Sequence, residues 1–239
     1  MIRLGVNVDH IATLRNARKD VFPSVIEVAL LAETYGADLI TAHLREDRRH
    51  IKDEDIFLLK QVLKTQLNLE MAATEEMLQI ALEVKPDFVC LVPEKRKELT
   101  TEGGLDIINN FDHISDIVKT LQDNQIKVSL FVDADKEQII ASKDTNAYAV
   151  EIHTGVYAQL KDSYLLNEEL YKIKTMAELA FSIDLVVNAG HGLNYHNVLP
   201  IVGIPQINEL NIGFAIVAKS LFVGLPRAIR EMKKLITRN

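Results

Sequence analysis

One pattern constrains this chain more than any other: eight short β-rich runs, residues 3–8, 38–44, 67–71, 88–92, 127–132, 148–153, 185–188 and 209–212, alternate with longer stretches of helical period. The stretches at 23–35, 54–65, 75–84, 114–124, 136–142, 167–181 and 226–237 place apolar residues near three- and four-residue spacing, as amphipathic helices do. Strands that alternate with crossover helices form parallel sheets. Eight units predict an α/β fold closed into a (β/α)8 TIM barrel with extra short helices. An open doubly wound sheet is the alternative, because a count of strands does not close a ring. At 239 residues, 48% of them hydrophobic, the chain suits one domain over 1–239, since barrels commonly run to about 250 residues undivided.

Strand parity sharpens the expectation. Side chains alternate in direction along a strand, so in a barrel one parity packs on the helices and the other fills the interior. Leu4, Val6 and Val8 share the helix-facing parity of the first run, leaving Asn7 and Asp9 on the other. By the same rule Thr41, His43 and Arg45 point inward from the second run, Asn68 and Glu70 from the third, Glu151 and His153 from the sixth, and Asn188 and Asn211 from the last two. Polar groups therefore converge on the interior near the C-terminal strand ends, where barrel enzymes carry their chemistry. Burying acids and imidazoles together is costly unless they are paired or functional.

Composition excludes several partners. Lys+Arg 27 against Asp+Glu 34 gives a net charge of −7, which opposes binding to a polyanionic nucleic acid. Cys90 is the single cysteine, so no intrachain disulfide forms; a reducing compartment fits, and the thiol is expected to serve packing. The first ten residues lack the apolar stretch of a signal peptide, and no window approaches the roughly 20 apolar residues that span a bilayer. A cytoplasmic protein with no membrane partner is the expectation.

Several segments carry candidate chemistry. Asn188-Ala189-Gly190-His191-Gly192 follows the seventh strand and Asn211-Ile212-Gly213-Phe214 the eighth, the habitual phosphate site of this fold, with glycines that let backbone N–H groups approach an anion. Ordinary turns are the plain alternative. The run from His43 to His50 closes the second strand with charge; His43 and Arg45 read as site residues, while Arg48 and Arg49 are equally a solvated face. The segment from Asn7 to Arg18 leaves its strand for a loop with several cationic groups, offering a second anion position or simply a turn with an Asp cap. Glu70 and Glu151, enclosed by a barrel, suit acid–base work or buried ion pairs. The long charged connection over residues 93–104 reads as a lid or an exposed loop.

Taken together, these segments resemble the pyridoxine 5′-phosphate synthase family over nearly the whole chain. The resemblance runs through Gly5 to Arg15, His43 to His50, Asn68 to Ala72, Leu91 to Arg96, Thr100 to Gly104, Glu151 to Gly155, Asn188 to Leu193 and Asn211 to Gly213. It implies condensation of 1-deoxy-D-xylulose 5-phosphate with 3-amino-2-oxopropyl phosphate to pyridoxine 5′-phosphate, phosphate and water, with no metal or organic cofactor. It implies His43 and Glu70 as acid–base groups, His191 as proton donor and Glu151 as a supporting group. It places the amino-ketone phosphate on Asn7, Arg18, Gly192, Gly213 and the backbone of Phe214, and the deoxyxylulose phosphate on Asp9, His10, Arg45, His50 and Thr100. A homo-octamer is implied as well. Phe214 departs from the family, which commonly has histidine there. Two other readings compete: a divalent-metal barrel with His43, Glu70, Glu151 and His191 as ligands, and a barrel that binds a phosphorylated metabolite without turnover.

Overall fold

A computed structural model describes residues 1–94 and 103–237. Eight parallel strands, β1 (Arg3–Asn7), β2 (Leu39–His43), β3 (Gln66–Met71), β4 (Phe88–Leu91), β5 (Lys127–Val132), β6 (Ala149–His153), β7 (Val186–Gly190) and β8 (Ile207–Ile212), pair in sequence order. β8 returns to β1 through Arg3↔Glu209 and Gly5↔Asn211, which closes the ring and removes the open-sheet alternative. Around it lie α1 (Asp9–Arg18), α2 (Val25–Thr34), α3 (Asp53–Val62), α4 (Glu75–Val84), α5 (Phe111–Asp123), α6 (Lys136–Asp144), α7 (Gly155–Gln159), α8 (Ser163–Ser182), α9 (Val198–Val202), α10 (Phe214–Val223) and α11 (Leu225–Ile236). Several starts are written locally: Ser24, Thr74, Asp135 and Asp162 accept backbone N–H groups of the first turns of α2, α4, α6 and α8.

Two faces of one sheet have opposite chemistry. Leu4, Ile40, Leu69, Leu130 and Val150 point outward and are fully buried beneath the helices, each stabilising the fold by about 1.5–3 kcal/mol through burial. The registers Asn7↔Thr41↔Asn68, Glu70↔Cys90↔Ser129 and Phe131↔Glu151↔Asn188↔Glu209 put the other parity inside. Among the described residues, the one apolar cluster in that interior is Cys90, Val92 and Phe131. Cys90 does pack, as the sequence suggested, but inside the ring. At the N-terminal end, Arg3 and Lys127 stack on Phe88 at 5.7 and 5.6 Å, and Lys127 on Tyr148 at 4.5 Å. These cation–aromatic contacts floor the polar interior.

The expected loop after the first strand is instead helix α1. Asn7 Oδ1 accepts the Asp9 N–H at 2.9 Å and turns the chain, and Ile11, Ala12 and Arg15 then fall on one buried face. Polar residues masked that period in the sequence. Helices α7, α9 and α10 were likewise not located individually, and β7 runs two residues beyond its expected end at Asn188. A register shift at Val187/Asn188 accompanies β7 and β8.

Arg15 belongs to the scaffold. Its guanidinium grips Asp55 of α3 with two bonds of 2.6 and 2.8 Å, both side chains under 10% exposed, and also donates to the His50 carbonyl. Removing one partner strands a buried charge. Asp55→Ala should therefore destabilise the protein by about 3–5 kcal/mol in urea denaturation, and the paired change Arg15→Met with Asp55→Leu should recover most of the loss.

Candidate active site

The mouth at the C-terminal strand ends is built from three groups of residues. The first joins β1 to β2. Asp9 Oδ2 accepts from Asn7 Nδ2 and its Oδ1 from the His43 backbone N–H, both at 2.8 Å, so one carboxylate locks the two strand ends together. The His50 ring stands 5.8 Å from that of His43. His50 Nδ1 accepts the Ile51 N–H at 2.9 Å, which leaves the proton of the neutral ring on Nε2 as a donor. Burial holds His50 below the usual imidazole range, against the pull of Asp9. His10 meets Phe214 edge to face at 5.2 Å, and Gly213 lies so close to Asn7 that an added Cβ would come within 2.9 Å of the Asn7 Cβ. The start of α10, with its unpaired N–H groups, is thereby packed against the end of β1.

The second group is acidic. Burial, then the charges of Asp9 and Glu151, pushes Glu70 well above the usual carboxylate range, opposed by a hydrogen bond from Asn7. Glu70 Oε2 lies 3.8 Å from His43 Nδ1. Glu151, 3% exposed, is pushed up to about 8 by burial and by Glu209, although Asn211 Nδ2 donates to it at 2.7 Å. Glu209 is pushed up to about 7 by burial, moderated by Arg3 and Asn211. Burial thus favours the protonated form of all three, Glu70 and Glu151 nearer the mouth and Glu209 deeper in the ring, 3.6 Å from Arg3. Glu94, in contrast, lies below the usual range: burial raises it, but the hydrogen bond and charge of His43, the Glu46 N–H and Arg45 outweigh that.

The third group joins β6 to β7. Asp133 Oδ1 bonds His153 Nδ1 at 2.9 Å, and the rings of His153 and His191 stand 5.2 Å apart. Gly155 lies between them; a Cβ there would meet His153 Nε2 at 2.3 Å. Burial, with His153 beside it, lowers His191 to about 4. His191 and Gly192 both take φ near +78°, in the left-handed region. For histidine that backbone is strained, and such strain persists where a site requires it.

Most of the residues singled out in the sequence meet here. Asn7, Asp9, His43, Glu70 and His50 form one corner, and Glu151 and His191 lie across the mouth. Arg45 is 2% exposed, 3.9 Å from Glu94, while Arg18 is exposed on the last turn of α1. Thr100 and most of the expected lid lie outside the described residues. Arg48 is engaged with Asp53 and Glu76, and Arg49 with Asp47, so both serve the scaffold. The ligand set suggested for a metal, His43, Glu70, Glu151 and His191, does not assemble; among the described residues the one such trio is Asp9, His43 and His50. There His50 already spends its Nδ1 lone pair on Ile51. Glu94, Asp133 and Glu209 were missed. Glu209 shares the inward parity of Asn211, a usable signal, whereas Glu94 sits in a charged run without periodicity.

Known proteins match this chain over nearly its whole length. The family model described as pyridoxal phosphate biosynthesis protein PdxJ matches residues 4–238. A pyridoxine 5′-phosphate synthase of Neisseria meningitidis is 56% identical over 98% of this chain and 97% of its own. One from Prochlorococcus marinus is 56% identical over 100% of both. Among solved structures, KGPDC from Streptococcus mutans superposes with a TM-score of 0.67 at 14% identity, covering 99% of this chain and 97% of that one, a likeness of fold alone.

The buried carboxyls make stability depend on pH with a definite sign. A carboxyl whose folded pKa is raised binds more protons folded than unfolded, so its contribution is lost as pH rises from about 4.5 through the folded value. His50 and His191 act oppositely, but only below their unfolded value near 6.5. Between pH 6.5 and about 8, the protein without substrates should therefore become less stable in urea, and Glu151→Gln should flatten that decline. A wild-type midpoint that rises over this window would contradict the buried-acid assignment.

Proposed function

The chain belongs to the family of pyridoxal phosphate biosynthesis protein PdxJ, and from that membership we infer that it is an enzyme of vitamin B6 biosynthesis, a pyridoxine 5′-phosphate synthase as its relatives are named. The reaction joins 1-deoxy-D-xylulose 5-phosphate to 3-amino-2-oxopropyl phosphate and releases phosphate and water. The observation that carries our reading of the site is the approach of Glu70 Oε2 to within 3.8 Å of His43 Nδ1, with burial raising the Glu70 carboxyl above its usual range and the charge of Glu151 adding to that rise.

The two corners take the two phosphates. Gly213, the Phe214 N–H at the start of α10, Asn7, Gly192 and Arg18 receive the amino-ketone phosphate; a helix start favours anions. Asp9, His10, Arg45, His50 and Thr100 receive the deoxyxylulose phosphate, with the His50 Nε2–H as one donor. Anchoring both reactants by their phosphates makes the condensation effectively unimolecular.

Amine attack on the ketone gives a carbinolamine, whose hydroxyl must leave as water. Glu70 supplies that proton as a neutral acid, and His43 removes one from the condensing nitrogen or the adjacent carbon. Groups pushed apart in pKa divide acid from base work in this way. Glu151, also protonated, hydrogen-bonds an oxygen that gains charge. His191 is held neutral by the protein alone; a phosphate dianion beside Gly192 favours its protonation and makes it the donor for a later step. No step calls for a metal or organic cofactor.

We read the chain as a single catalytic domain working in the cytoplasm as a homo-octamer. No helix among the described residues is long and apolar enough to cross a membrane. Val21 and Phe22, in the connection after α1, and Leu221 and Phe222, in the last turn of α10, are each 70% or more exposed, apolar surface that subunit contact would cover. Light scattering should return eight subunits per particle, and a monomer would remove this part of the reading.

The activity test supplies both phosphates and follows pyridoxine 5′-phosphate absorbance with released phosphate. Folded Glu70→Gln and His191→Ala should each lose about 10²–10⁴-fold in kcat, and wild-type activity should survive exhaustive chelation. Wild-type turnover by either variant would remove that residue from the mechanism.

A further inference from the structure

Glu94 lies three residues beyond β4, follows Pro93, and has a side chain only 5% exposed. Its two oxygens are divided between two tasks. Oε1 lies 2.8 Å from His43 Nε2, while Oε2 accepts the Glu46 N–H at 3.1 Å and stands 3.9 Å from Arg45 Nε. A buried carboxylate with this set of partners stays ionised, and an ionised carboxylate only accepts hydrogen bonds. The proton in the Glu94–His43 bond therefore sits on His43 Nε2. In the neutral ring the lone pair is then on Nδ1, which faces Glu70 Oε2 at 3.8 Å, too far for a hydrogen bond to use it up.

We propose that Glu94 is a positioning residue for His43, fixing the ring as its Nε2–H tautomer so that Nδ1 faces Glu70 and the reactants as a proton acceptor. Asp9 holds the same residue by its backbone N–H and His50 lies against its ring, so His43 is fixed from three sides and left free at one atom. The arrangement is the general one in which a base is oriented by a third, acidic group that does no proton transfer itself. It rests on the reading of His43 as an acid–base group. The Glu46 and Arg45 contacts raise a purely architectural alternative, in which Glu94 only ties the loop after β4 to the loop after β2.

Ring-nitrogen NMR separates the two without substrates. Long-range proton–nitrogen spectra of the wild-type protein should show His43, when neutral, with a protonated Nε2 and a bare Nδ1. Glu94→Ala should lose that preference, and Glu94→Gln, whose carbonyl still accepts, should keep it. In turnover, Glu94→Ala should lower kcat about 10- to 100-fold, part of what an acid–base group supplies, with KM for both phosphates within about 3-fold. Glu94→Gln should lie between the two in kcat. A wild-type His43 protonated at Nδ1 overturns the proposal by itself, even if Glu94→Ala does not fold. So does a folded Glu94→Ala with unchanged ring-nitrogen shifts, whether kcat is normal or only KM has risen. Failure of the wild type to form pyridoxine 5′-phosphate would defeat the functional reading, while the ring nitrogens would still decide the role of Glu94.

Discussion

The structure depends on enclosing several carboxyls within one ring of backbone hydrogen bonds. A barrel of this size is usually filled by branched apolar side chains, yet here the inward parity carries Asn7, Thr41, His43, Asn68, Glu70, Glu151, Asn188, Glu209 and Asn211. Ionising these acids together inside a low-dielectric space would cost several kcal/mol per charge, so the molecule keeps protons on them instead. The outer face, fully buried under helices, supplies the apolar stability that the interior gives up.

From that constraint the division of protonation follows. Carboxyls facing one another across the interior, Glu70, Glu151 and Glu209, are pushed up, whereas those given a cationic or hydrogen-bonding partner, Glu94 and Asp133, stay low. Burial pushes the imidazoles of His50 and His191 toward neutrality, in His50 against the pull of Asp9. His43 and His153 each have a carboxylate oxygen within 2.9 Å of a ring nitrogen, and each ends its strand. The mouth offers neutral acids and oriented bases at the same pH, a combination that isolated side chains in water do not provide.

Much of this was legible because a strand's period of two is unforgiving. Thr41 and His43, Asn68 and Glu70, or Glu151 and His153 could not face the helices without exposing Ile40, Leu69 or Val150. Parity therefore made most of the polar interior legible, whereas closure of the ring, left open by the strand count, rests on the pairing of β8 with β1. Charged residues outside strands had no such constraint. Arg15, Arg18, Arg48 and Arg49 look alike in sequence, and only their partners tell them apart: Arg15 is bound to Asp55, Arg48 to Asp53 and Glu76, Arg49 to Asp47, and Arg18 stands exposed. Glu94 escaped for the same reason, since its significance lies in a contact fifty-one residues away in the chain.

Phe214 shows how far a substitution at such a site reaches. A histidine in its place would add a ring donor, but the proposed grip on phosphate uses the N–H groups at the start of α10, which any residue except proline provides. What those groups require is that the helix start stay against Asn7, and that contact is made by Gly213, where no larger residue fits. The Phe214 ring is 68% exposed and touches His10 edge to face, so it acts on the neighbouring imidazole rather than on the helix start. Variation at 214 therefore alters the wall around His10 and leaves the backbone cradle in place. Variation at 213 would push the cradle away from β1.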